Sequence, residues 1–108
     1  MSNVAYLGNE NFAAEVEKTT GAVVVDFTAT WCPPCKMLAP VFERVAGQYE
    51  GKAKFFKVDV DESVEVAAKY GVQTIPNLLF FKDGQVVDQS VGFIGEGQLS
   101  AKVDGVLG

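Results

Sequence analysis

Cys32 and Cys35, the chain's two cysteines, stand three residues apart in Trp31-Cys32-Pro33-Pro34-Cys35-Lys36. An apolar run, Val23-Val24-Val25-Asp26-Phe27, precedes them and a helical pattern opens at about Pro34, so the pair falls where a strand hands over to a helix. A thiol attacks as its thiolate, and the first turn of a helix offers that anion unpaired N–H groups and the positive end of the macrodipole. Cys32 is therefore the expected attacking sulfur, exposed at the leading edge of the helix. The i, i+3 spacing brings Cys35 onto the same face, within the approach a disulfide needs. The chemistry this offers is reversible thiol–disulfide exchange.

As a staple the bridge would contribute little: chain entropy assigns about 2 kcal/mol to so short a loop, against about 3 for fifteen residues. A bridge that stabilises so weakly is better explained as a reagent. Two inert core thiols are the alternative, since free cysteine is often simply buried, but adjacent prolines and a flanking tryptophan argue against it. Histidine is absent, which removes the commonest metal ligand and the ordinary general base. A zinc or iron–sulfur site would need the cysteines with carboxylates, or two chains, and no metal ligands are assigned.

Asp26 interrupts the apolar run. Ionised and buried it would be costly, so it faces a partner or a cavity, or it holds its proton more tightly than usual. A strand-end position in solvent, or pairing with a lysine such as Lys57, would explain it structurally. Its nearness to a reactive pair favours a functional role.

Several elements must position these groups. Val4 to Leu7 reads as a short strand, and Asn9 or Asn11 as the cap of a helix from about Phe12 to Lys18 that Gly21 ends. Val23 to Thr28 is a strand covered on both faces. Pro34 suits the first turn of the next helix, whose core stripe is Leu38, Val41, Phe42, Val45 and Tyr49; Pro40 within it predicts a kink. Lys54 to Val60 is a second internal strand, parallel to the first across a βαβ unit. A short helix from Asp61, Glu62 or Ser63 runs to Tyr70. The acids Asp59, Asp61 and Glu62 lack the glycine and terminal acid of a calcium loop and read as a solvated helix start. Leu78 to Phe81 is a third strand, and Asp83-Gly84 turns it into an antiparallel return, Gln85 to Val91. Leu99, Val103, Val106 and Leu107 mark a closing helix.

In the order and spacing of Trp-Cys-x-Pro-Cys-Lys after a strand bearing Asp26, then Ile75-Pro76 and the Gly92 region, the chain resembles the thioredoxin family along nearly its whole length. The resemblance implies the thioredoxin fold, an α/β arrangement with a central mixed β-sheet (parallel core plus antiparallel hairpin) flanked by helices on both faces. It implies a protein-disulfide reductase in which Cys32 attacks and Cys35 resolves. Asp26 would move protons for Cys35, with Lys57 close by. Pro76 would be cis, although the ordinary X–Pro bond is trans. Trp31, Ile75, Pro76 and Gly92 would form an apolar shelf for protein disulfide substrates. No bound cofactor is implied beyond the Cys32–Cys35 disulfide, and a thioredoxin reductase drawing on a nicotinamide through a flavin would supply electrons.

The chain departs from the usual family pattern at Pro33, where glycine is typical, at Asn77, where threonine is common, and at Thr28, where an aromatic is frequent. Pro33 and Pro34 are the expected modulators of the pair. Pro33 removes an N–H donor to the thiolate and pre-sets the closed turn, and both effects favour the disulfide. Two other classes are a dimeric metal or iron–sulfur binder and a non-catalytic module on the same fold.

At 108 residues the chain is expected to form one domain, 1–108, with a single core. A hydrophobic share of 48% with 21% charged residues is globular, and no apolar run is long enough to span a bilayer. A net charge of −5 without a basic cluster excludes a nucleic-acid surface and an anionic membrane as partners. The first residues, Met1 to Gly8, lack the charged and apolar regions of a signal peptide. A soluble, cytoplasmic monomer is expected, in a compartment where paired thiols are more often catalytic than structural.

Overall fold

The computed structural model describes residues 4–108; Met1, Ser2 and Asn3, which open the stretch read above for a leader, lie outside the described residues. Five strands, β1 (Ala5–Tyr6), β2 (Ala22–Thr28), β3 (Ala53–Asp59), β4 (Asn77–Lys82) and β5 (Gln85–Val91), form one sheet in the order β1-β3-β2-β4-β5. β2 and β1 both run parallel to β3, whereas β4 runs antiparallel to β2 and β5 antiparallel to β4. The expected parallel pair and antiparallel hairpin are thus both present, joined through β2 at the centre.

The pleat sorts the side chains of the central strands onto two faces. Val24, Leu78 and Phe80 pack with Leu38, Phe42 and Val45 of helix α1 (Pro33–Gln48) and with Leu99 and Val103 of helix α3 (Glu96–Leu107). Val23, Val25, Phe27, Leu79 and Phe81 pack on the other side with Phe12, Val16 and Val66 of helix α2 (Val64–Lys69). Each fully buried Phe, Leu or Val adds about 1.5–3 kcal/mol of transfer free energy. β2 and β4 carry eight such side chains between them, Val23, Val24, Val25 and Phe27 with Leu78, Leu79, Phe80 and Phe81, and are the frame on which the loop at Cys32 is mounted.

The hairpin is built as its two-residue signal requires. Asp83 and Gly84 take φ of 52° and 81°, the left-handed pair of a type I′ turn. The turn is fastened to the chain before β2: the Asp83 amide donates to the Gly21 carbonyl at 3.0 Å, and the Gly21 amide to Asp83 Oδ1 at 2.7 Å.

Two expectations near the start of the chain are corrected. The segment after Asn11 is a five-residue π-helix, Ala13–Glu17, with no side-chain cap. Asn11 Oδ1 instead accepts from the Gly8 amide, and Asn9 Oδ1 accepts from the amide of Val66, the third residue of α2. Asn9 therefore satisfies an orphan donor of a helix 57 positions away. Pro40 lies inside α1, on its exposed side, and the helix continues past it to Gln48.

Candidate functional site

α1 begins at Pro33 with Cys32 as its N-cap, in extended conformation, after a short loop, residues 29–31, beyond the carboxyl end of β2. Both prolines occupy the first turn, where a missing N–H costs nothing. Cys32 and Cys35 are joined in a disulfide with Cα atoms 5.2 Å apart. The Cys35 amide donates to Cys32 Sγ at 3.3 Å. An N-cap side chain is addressed by the amide of the second or third helical residue, and with Pro34 in second place the third, Cys35, is the donor. In the oxidised pair the donor to Cys32 Sγ is thus the Cys35 amide, and neither Pro33 nor Pro34 has an N–H to offer.

The sulfurs are less open than the sequence suggests. Cys32 exposes 3% of its surface, because Ala29, Val60 and Ile75 pack about the pair. Cys32 Sγ lies 4.0 Å from the carbonyl oxygen of Ile75. The Ile75–Pro76 bond is cis, Pro76 is buried, and its carbonyl accepts from the Gly92 amide at 2.7 Å. That bond ties the segment facing the disulfide to the end of β5. Trp31, 64% exposed, projects beside the pair and donates from Nε1 to Asp61 Oδ2 at 2.6 Å. Of the four expected shelf residues, Ile75 packs on the pair, Pro76 and Gly92 are bonded to each other along the backbone that follows it, and Trp31 adjoins Cys32 in the chain with its indole bonded to Asp61.

Behind the pair lies Asp26. It is 1% exposed, and its Oδ1 has no hydrogen-bond partner. Burial pushes its pKa up from 3.8 to about 7, opposed by the nearby Lys57 charge. The carboxyl opens on a cavity of about 270 Å³ that is also lined by Cys35, Lys57, Lys36, Tyr6 and Thr28, large enough for water to connect acid and sulfur. Asp26 and Lys57 are register partners on adjacent parallel strands. The ammonium is nevertheless bonded elsewhere, donating to Glu43 Oε2 of α1 at 3.0 Å. The pairing of Asp26 with Lys57, offered above as its structural explanation, is not a hydrogen-bonded one.

Sequence reasoning missed Glu43 and Asp61. Nothing local marks Glu43, since the phase of α1 over the sheet decides its partner. Asp61 belongs to the acidic run, which is a structured turn: Asp59 Oδ1 accepts from the amides of Asp61 and Glu62. Among the described residues no three His, Cys, Asp or Glu side chains gather as a metal site, and no helix is long and apolar enough to cross a membrane.

A disulfide at a helix N-terminus, beyond a central strand of a mixed sheet and backed by a buried carboxyl, defines a thiol–disulfide oxidoreductase. The thioredoxin family model matches residues 3–105. Thioredoxins of Staphylococcus aureus strains Mu50, MW2 and N315 are each 53% identical over 94 residues, covering 87% of this chain and 88% of theirs. The chain belongs to the thioredoxin family, and its redox group is the protein's own cysteine pair. It is a protein-disulfide oxidoreductase, and the family implies protein disulfides as substrates and a thioredoxin reductase as the usual electron source.

Proposed function

We propose that the chain works as a cytoplasmic monomer, a single domain over 1–108, that reduces protein disulfides with Cys32 as nucleophile and Cys35 as resolving thiol. The observation that carries this assignment is the position of Cys32 at the N-cap of α1, its sulfur accepting the Cys35 amide. In the reduced protein the Cys32 thiolate attacks one sulfur of a substrate disulfide. A mixed disulfide forms, and the departing substrate thiolate takes a proton from water. Cys35 then gives its proton to Asp26 across the cavity and attacks Cys32 Sγ. The mixed disulfide breaks, the second substrate thiolate leaves and is protonated, and two electrons have passed to the substrate.

Lys57 sets the field at Asp26. Trp31, Ile75, Pro76 and Gly92 dock the substrate chain, whose backbone pairs with the segment at Ile75, while Pro33 and Pro34 tune the closed turn. A flavin-dependent reductase fed by a nicotinamide returns the electrons, a role in cellular electron transport and redox homeostasis. Nucleic acids and membranes are not partners: the chain carries a net charge of −5.

Disulfide reduction in insulin, driven by dithiothreitol, tests the roles. Cys32→Ser is expected to abolish turnover. Cys35→Ser is expected to make one attack and accumulate a mixed disulfide visible on non-reducing gels. Turnover by Cys32→Ser, or no trapped adduct with Cys35→Ser, would reverse the assignment.

A further inference from the structure

We propose that Glu43 is a positioning residue for the redox reaction: its ion pair with Lys57 draws the ammonium away from Asp26 and keeps that buried carboxyl a competent proton acceptor. The inference rests on the reading of Asp26 as the acceptor for Cys35, and it concerns what governs that acceptor.

Asp26 and Lys57 face each other across the β2–β3 ladder and line one cavity with Cys35. An ammonium carries three donors and a buried carboxylate welcomes any of them. Yet Lys57 Nζ is bonded at 3.0 Å to Glu43 Oε2, lies 5.7 Å from the centre of the Tyr6 ring, and leaves Asp26 Oδ1 without a partner. Glu43 and Cys35 belong to the same helix, so the element that presents the resolving sulfur also holds the cation. The titratable and charged groups facing Asp26 are Lys57 from β3, Cys35 and Lys36 from α1, and Tyr6 from β1. β4 contributes none, for it sets Leu78 opposite Asp26, and the buried α3 residues on this face, Leu99, Val103 and Val106, are apolar.

Without the Glu43 carboxylate, the ammonium is free to turn to Asp26. A cation bonded to a carboxylate lowers its proton affinity by about one to three powers of ten. An acceptor so weakened is poorly matched to a thiol near neutral pH.

The test is the titration of the Asp26 carboxyl carbon by ¹³C NMR in the oxidised protein, where neither thiol titrates. Glu43→Gln, which keeps the shape of the side chain, is expected to lower the Asp26 midpoint by about one pH unit, a tenfold loss of proton affinity. In a Lys57→Met background the same substitution is expected to move it by no more than about 0.3 pH unit, and Glu43→Asp to restore most of the original value. An unmoved midpoint in Glu43→Gln overturns the proposal, as does an equal fall with and without Lys57. The parent reading is tested separately, by the rate at which Asp26→Asn releases substrate from the mixed disulfide. An unchanged rate there removes Asp26 as acceptor while leaving the titration result in place.

Discussion

Replacing Asp26 with asparagine is expected to stabilise the oxidised protein by an amount set by pH. Asparagine keeps the volume and carries no proton equilibrium. In the folded chain the carboxyl has a pKa of about 7 in place of 3.8, a rise of close to three pH units at 1.36 kcal/mol each, or about 4 kcal/mol. The sign follows from proton counting. Between pH 4 and 7 the folded state holds this proton and the unfolded state does not, so stability falls as pH rises. Below pH 3.8 the carboxyl is neutral in both states and contributes no pH dependence. Above about pH 7 it is ionised in both, and the full penalty of burying the charge is present. The group is almost completely buried, so solvent screening does not diminish it. Urea denaturation of the oxidised parent and Asp26→Asn proteins, from pH 4 to 9, measures the difference. It should grow by about 1.4 kcal/mol per pH unit from pH 4, pass about 2 kcal/mol near pH 5.5, and level off at about 4 kcal/mol above pH 7. Any constant offset from the buried amide leaves that slope untouched. A difference that stays flat between pH 5 and 8 would refute the argument that Asp26 is buried without a counter-ion bonded to it.

Two further outcomes follow from backbone geometry. Pro33→Gly should raise the reduction potential by about 10–20 mV, because the open dithiol gains about 0.4–1 kcal/mol of backbone freedom and 1.4 kcal/mol corresponds to 30 mV; equilibration with glutathione measures it, and an unchanged or lower potential would count against the restriction. Gly84→Ala should destabilise the protein by about 2–4 kcal/mol: φ is +81°, and the added methyl would lie 2.2 Å from the Glu17 carbonyl oxygen. A shift in the denaturation midpoint worth less than about 0.5 kcal/mol would mean that the turn can move aside.

The parts legible from the sequence are those encoded by adjacent residues. Val23 to Phe27 and Leu78 to Phe81 are continuous apolar runs, and such runs become strands covered on both faces. Asp83-Gly84 names its own turn type because two left-handed residues are needed in succession. The cysteine pair carries its chemistry in its spacing. The five-residue π-helix was not legible, since Phe12 and Val16 lie four apart and suit an α-helical reading equally. The role of Asn9 escaped for another reason: local capping rules look forward along one helix, and its acceptor serves α2. Register alone puts Lys57 opposite Asp26, whereas its bond to Glu43 depends on how α1 lies over the sheet. Cys32 looked exposed because Ile75, which covers it, is 43 positions further along.

The recessed setting of Cys32 has a consequence for what the protein can act upon. Under the proposed mechanism a sulfur that is only 3% exposed in the oxidised protein is expected to react poorly with a target disulfide that is equally sunken. The expected targets are then cystines that protrude, or that are lifted clear by local opening of their own fold, a selection by the shape around the bond before any electron moves.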